Sequence, residues 1–208
     1  MVDSLRERKK LETRDALTAA AHELSRERGF DAVTVDEIAA AANVSPRTVF
    51  RYFGSKEAIL FGDQDELLHF IGEAIASRPK GEPIMVTLRE AVIEITQHTA
   101  EHRERQLSRA RFAASGATAA AYAKTVLIPQ WEEVLVDAVA ARLDVDPTVN
   151  TRPRLLAGTA IAAMSATSAV WLASNGAGDP VDLLREAFAA LDEAVVESLP
   201  SLGSDVPT

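Results

Sequence analysis

The chain has 208 residues, 47% hydrophobic and 25% charged, ordinary globular values that exclude a disordered or collagen-like protein. It has no cysteine, which excludes disulfides, thiolate zinc sites, iron–sulfur clusters and a cysteine nucleophile, and fits a reducing cytoplasm. The formal net charge is −9, yet residues 1–62 hold as many basic as acidic side chains, so the excess acid lies entirely beyond residue 62 and an anionic partner for the first part stays open.

The N-terminus is polar and charged where a secretory signal would be apolar, so no export is expected. Leu17, Ala20, Ala21 and Leu24 recur at helical spacing, and Gly29 follows where a C-terminal cap is wanted, which predicts a helix from about Thr13 to Arg28. The preceding basic residues Arg6, Arg8, Lys9 and Lys10 read as an arm able to touch phosphates or a minor groove.

Thr34-Val35-Asp36-Glu37 has the form of a capping box, with Val33 and Ile38 at the staple positions, and starts a short helix that ends near Ala42. Asn43 tolerates the left-handed turn that follows. Ser45 is a second N-cap, with Pro46 at the first helical position, where its missing N–H costs nothing. Two helices, about 35–42 and 46–52, thus flank a three-residue turn, the spacing of a helix-turn-helix. In the second of them Val49 and Phe53 can pack inward with Val44 and Ile38. Arg47, Phe50 and Arg51 share the other face, where they suit base edges and phosphates in a major groove.

The segments Thr34-Val35-Asp36-Glu37-Ile38-Ala39, Asn43-Val44-Ser45, Thr48-Val49-Phe50-Arg51-Tyr52-Phe53 and Ser55-Lys56-Glu57 occur in order and resemble the DNA-binding domain of TetR-type transcriptional regulators, over about Arg14 to Leu60. The resemblance implies an all-α protein of about nine helices. Residues 1–55 would be a three-helix DNA-binding domain with its arm, and 56–208 a helical bundle for effector binding and dimerisation. It also implies phosphate contacts from Thr34, Thr48, Tyr52 and Lys56 beside the cap Ser45, and base contacts from Arg47, Phe50 and Arg51. This sequence departs from the pattern at Asn43, where glycine is usual, and at Phe50, where the usual tyrosine would bring a hydroxyl. A thymine methyl is still within the reach of Phe50.

Ser55 is a third cap, and the helix it opens is expected to run through Phe70, Ile71 and Ile75 to a break at Pro79-Lys80-Gly81. Further helices fit about 84–101, 103–114, 117–143 with a kink at Pro129, 152–174 and 180–198. Leu155 to Gly178 carries no charge, but its Ala, Gly, Ser and Thr content reads as a closely packed helix and not a membrane span. The stripe Leu184, Ala187, Phe188, Leu191 and Val195 suggests that the last two helices pair with a second copy as a four-helix bundle, the arrangement the resemblance also implies.

An effector site is expected between the linker helix and the middle helices, with Phe70, Met85, Phe112, Trp131, Met164 and Trp171 as candidate lining and Arg109 or Arg111 as candidate anion anchors. Leu127-Ile128-Pro129-Gln130-Trp131-Glu132 resembles a mycofactocin-associated subgroup of these regulators, which implies an acyl-thioester-like effector. One competing signal is His98-Thr99-Ala100-Glu101-His102, an H-x-x-E-H pattern that would suit a metal-dependent hydrolase, although no third ligand can be assigned. The expectation is therefore a non-enzymatic, cofactor-free cytoplasmic regulator that binds a pseudo-palindromic duplex operator as a homodimer.

Overall fold

The computed structural model describes residues 2–61, 64–100, 103, 106, 107, 111 and 121–198. Among these are nine α-helices, a 3-10 turn and one π-helical stretch, with no strand. The helices are α1 (Val2–Arg28), α2 (Val35–Ala41), α3 (Pro46–Tyr52), α4 (Lys56–Leu60), α5 (Gln64–Ser77), α6 (Ile84–Ala100), α7 (Ile128–Leu143), α8 (Arg152–Ala173) and α9 (Pro180–Ser198).

Two hydrophobic cores organise the chain. The first joins Leu17 and Ala21 of α1 to Ile38 of α2, Val49 of α3 and Ile59 and Leu60 of α4, all essentially inaccessible. The second gathers Ile71 and Ile75 of α5, Leu88 and Val92 of α6, Leu135 and Val139 of α7, Ala157 and Ala160 of α8, and Leu184 and Phe188 of α9. Within this body α8 packs against α7, α9 and α6, and α5 against α6 and α7. Arg142 ties the end of α7 to the α5–α6 connection by donating to the carbonyls of Arg78 and Pro79.

Three expectations change. The basic run 6–10 is not an arm but part of α1, which begins at Val2. Leu, Arg, Glu and Lys are strong helix formers, and Arg8 pairs with Glu12 at 3.4 Å one turn on. The helix opened by Ser55 does not continue to Ile75: α4 ends at Leu60 and α5 starts at Gln64. The Phe61 amide bonds Ala58 O, three residues back, and the Gly62 and Asp63 that follow are weak helix formers.

The third change concerns α9. Leu184 and Phe188 are buried in the body core, and Ala187 and Leu191 pack against it, so this stripe is used within the protomer. The side chain of Val195 is outside the described residues, as are most of the expected helix 103–114 and the start of 117–143. Before Pro129, residues Ala123–Leu127 wind as a π-helix, because proline has no N–H to offer the carbonyl four residues back. The helix α8 is long and apolar enough to cross a membrane by length and composition alone, and in the structure it forms one wall of the body.

Candidate nucleic-acid interface and effector cavity

The helix-turn-helix is built by its caps. The Thr34 hydroxyl accepts from the Glu37 amide at 3.2 Å while the Glu37 carboxylate accepts from the Thr34 amide at 2.8 Å, so both backbone donors at the start of α2 are satisfied. Arg28, at the end of α1, donates to the same carboxylate at 2.7 Å and fixes α1 to α2. The Thr34 backbone N–H first, then Arg28 and the Thr34 hydroxyl, hold the Glu37 carboxyl at about 2, well below its ordinary 4.5. Asn43 makes the turn with φ of 55°, the left-handed conformation that its side chain tolerates.

At the start of α3 the Ser45 hydroxyl accepts from the Thr48 amide at 3.2 Å and lies 2.9 Å from the Thr48 hydroxyl. Val49 and Phe53 are buried in the head core, which turns Arg47, Phe50 and Arg51 to solvent. Phe50 is 58% exposed, so its ring is open to solvent between the two arginines. The Arg51 guanidinium lies over the Tyr52 ring at 5.1 Å, which braces it beside the helix. Three exposed side chains on one short helix of a rigid head can enter a major groove, with two arginines for base edges or phosphates.

Lys56 sits differently. Its ammonium donates to the carbonyls of Phe30 and Val33 at 3.0 and 2.9 Å and lies 4.1 Å from the centre of the Phe30 ring. Most of its donor capacity is thus spent on the backbone turn between α1 and α2.

In the body, a cavity of about 540 Å³ opens between α5, α6, α7 and α8. Of the sequence-predicted residues, Trp131, Met164 and Trp171 meet on its wall. Phe70 instead stacks on His98 with centroids 4.7 Å apart and borders a separate depression beside Glu73 and Glu94. Met85 packs against the body core away from the cavity, and Arg111 is exposed. Arg109, Phe112 and His102 lie outside the described residues.

The cavity also takes residues that a search for large apolar side chains passes over. Gln64, Thr96, Thr99 and Thr167 bring polar groups to it, and Phe61 lines it from the junction of head and body. Among the described lining residues none is charged. The signal was available: Thr96 and Thr99 on α6, and Thr167 and Trp171 on α8, recur at three- and four-residue intervals on single helical faces. Arg103 lies over the Trp171 ring at 5.6 Å and borders a smaller adjoining cavity of about 300 Å³.

Comparison with known proteins matches both parts. Residues 17–62 fit the model for bacterial regulatory proteins of the tetR family, and residues 82–196 fit the MftR C-terminal domain. The chain belongs to the TetR family. Its members are DNA-binding transcriptional regulators, and this one carries an MftR-type C-terminal domain. MftR of Mycobacterium tuberculosis (strain ATCC 25618 / H37Rv) is 28% identical over 195 residues, covering 94% of this chain and 95% of that one. The HTH-type transcriptional regulator TcmR of Streptomyces glaucescens is 41% identical over 78 residues, which are 38% of this chain and 34% of TcmR. Thermus thermophilus FadR, solved in complex with lauroyl-CoA, shares the fold with a TM-score of 0.53 at 23% identity, covering 94% of this chain and 99% of that one. Bacillus subtilis FadR, solved with stearoyl-CoA, does so with a TM-score of 0.55 at 18% identity over 85% and 96%.

The metal-hydrolase alternative finds no support in these matches, and Glu101 and His102 of its motif lie outside the described residues. The His98 ring is stacked on Phe70, and among the described residues no group of three or more His, Asp or Glu could hold a metal ion.

Proposed function

We propose that the protein is a homodimeric repressor that binds a pseudo-palindromic duplex operator through α3 and leaves it when a small, mainly apolar effector occupies the body cavity. The observation that carries this reading is the position of the cavity: its wall includes Phe61 and Gln64, the residues on either side of the head–body connection. An occupant pressing on that wall changes the angle of the head, and with it the separation of the two copies of α3. Successive major-groove half-sites lie about 34–36 Å apart, so a small rotation of each head mismatches them. Ligand and operator then weaken each other by the same factor.

In this reading Arg47, Phe50 and Arg51 meet bases, and Thr34, Ser45, Thr48 and Tyr52 border phosphates. Lys56 supports them from within the head. The head then runs through α4, which gives Ile59 and Leu60 to the first core, and the body starts at α5, so the boundary lies a few residues beyond the 55/56 division expected from the sequence. The dimer forms through α8 and α9 by their outward faces, where Leu155 is 69% and Val170 55% exposed and Ala162, Ala189 and Ala190 are exposed small residues that let backbones approach.

The effector is acyl-thioester-like. Support comes from the apolar cavity and from the shared fold with two FadR proteins solved with lauroyl-CoA and stearoyl-CoA. Its anionic part would lie outside the uncharged cavity, near Arg103 and the exposed Arg111. The protein needs no cofactor, catalyses no reaction and works in the cytoplasm.

The test is to select bound duplexes from a random library and titrate the recovered operator by fluorescence anisotropy with and without lauroyl-CoA. The expected outcome is weaker operator binding with the thioester present, together with a higher melting temperature of the free protein. Operator affinity unmoved by saturating lauroyl-CoA would overturn the effector reading.

A further inference from the structure

Among the described residues, the atoms that are buried without a hydrogen-bond partner include Gln64 Nε2, Thr167 Oγ1 and Trp171 Nε1, and all three belong to side chains on the wall of the 540 Å³ cavity. Thr167 and Trp171 retain only 7% and 4% of their accessible surface. Buried polar groups are almost always paired, so three unpaired ones converging on one space point to something that completes them.

The neighbouring hydroxyls behave otherwise. Thr96 Oγ1 donates to Val92 O at 2.7 Å and Thr99 Oγ1 to Ile95 O at 2.9 Å, the usual way for a helical threonine to satisfy itself. Thr167 has the same option one turn back on α8 and does not take it. Trp171 is held in place from outside: the Arg103 guanidinium lies over its ring, and its carbonyl accepts from the Ser174 hydroxyl at 2.8 Å and the Gly176 amide at 2.8 Å. Its indole N–H is therefore a fixed donor, one helical turn from the free hydroxyl of Thr167.

We infer that the cavity is built to seat an uncharged oxygen acceptor, of the carbonyl kind, on an otherwise apolar ligand. The Trp171 indole N–H and the Gln64 amide N–H donate to that oxygen, and Thr167 completes the ring of polar partners. Two acceptor-seeking donors, one adaptable hydroxyl and no described charge on the wall select against a carboxylate, which would be left in the cavity without a counter-ion. This inference rests on the body cavity being the effector site. It adds that recognition is by hydrogen bonds at the ligand's oxygen, beside the first residue of α5, and not by apolar burial alone.

The chain has two tryptophans, Trp131 and Trp171, and both line the cavity, so intrinsic fluorescence of the intact protein reports its occupancy without DNA. Three probes of similar length separate the possibilities: 2-undecanone, undecane and decanoate. The expected order is 2-undecanone tightest. Trp171→Phe, which keeps an aromatic side chain but removes the indole N–H and leaves Trp131 as reporter, should weaken the ketone by about 3- to 10-fold, the range of one neutral hydrogen bond, and affect undecane distinctly less. Thr167→Val, nearly equal in shape, and Gln64→Met should act in the same direction, with helicity by circular dichroism unchanged. Equal binding of ketone and hydrocarbon to the wild type would overturn the inference. So would tighter binding of decanoate, equal losses for both neutral probes in the variants, or no fluorescence response to any probe. Operator release is measured separately: a ketone that binds as described yet leaves DNA affinity untouched contradicts the proposed function and not the recognition of its oxygen.

Discussion

Replacing Lys56 by methionine separates two roles that the same residue could play. Methionine keeps an unbranched stem of similar length and removes only the ammonium. In the structure that ammonium makes two charge-assisted hydrogen bonds, to Phe30 O and Val33 O, and a cation–π contact with Phe30. Charged hydrogen bonds contribute about 1.5–3 kcal/mol each, and a partly exposed cation–π contact about 0.5–1 kcal/mol. The site is only half-buried and the carbonyls regain water, so the net loss of local stability should be about 2 kcal/mol, below the simple sum of these contacts. Hydrogen exchange followed by mass spectrometry over residues 29–41 reads this directly, as a loss of protection of about 30-fold. If the ammonium is held by its own backbone, the slope of log affinity against log salt on the selected operator stays as in the wild type. A phosphate contact would instead lower that slope by about 0.9. Unchanged protection together with a flattened slope would refute the structural role.

Arg47→Ala should cost about 1–3 kcal/mol of discrimination between the selected operator and single-base variants, read as a change in the affinity ratio at one position of each half-site. Val170→Glu, placing a charge on the outward face of α8, should yield a folded monomer by light scattering with operator binding lost; a dimer that still binds would move the interface elsewhere. The folded Glu37 and Glu82 carboxyls lie at about 2 against an ordinary 4.5, Glu37 through Thr34 and Arg28 and Glu82 through Arg78 and Thr87. Their stabilisation is therefore complete above about pH 4.5 and is lost as pH falls toward 2. Glu37→Gln should lower head stability near neutral pH and match the wild type at about pH 2, when chemical denaturation is followed at both; a constant difference at all pH values would contradict the assignment.

Local rules were legible where the signal is local. Thr34, Ser45 and Ser55 each read as an N-cap from type and spacing, and each side chain accepts from a backbone amide three residues on. Such a cap depends on neighbours in sequence and little else. The break at Phe61 was not legible, because the apolar spacing on both sides suits one continuous helix and a single glycine is tolerated in many. The direction of the α9 stripe was equally hidden: periodicity shows that Leu184, Phe188 and Leu191 share a face, but not whether that face meets the protomer's own core or a second copy. At the cavity, aromatic residues were the visible half. Of the polar half, Thr167 shares a helical face with Trp171 and could be read from spacing, whereas Gln64 looks like surface in a sequence and becomes wall only when α5 and α8 are brought together.

In the proposed function α3 reads bases from the major groove as part of a dimer. Dimethyl sulfate footprinting tests it on the selected operator, since the reagent attacks guanine N7, an atom that lies in that groove. Guanines should be protected in two patches centred about one helical turn apart, with reactivity restored at one guanine per half-site by Arg47→Ala. Binding that leaves every guanine N7 reactive, or that protects a single patch, would contradict it.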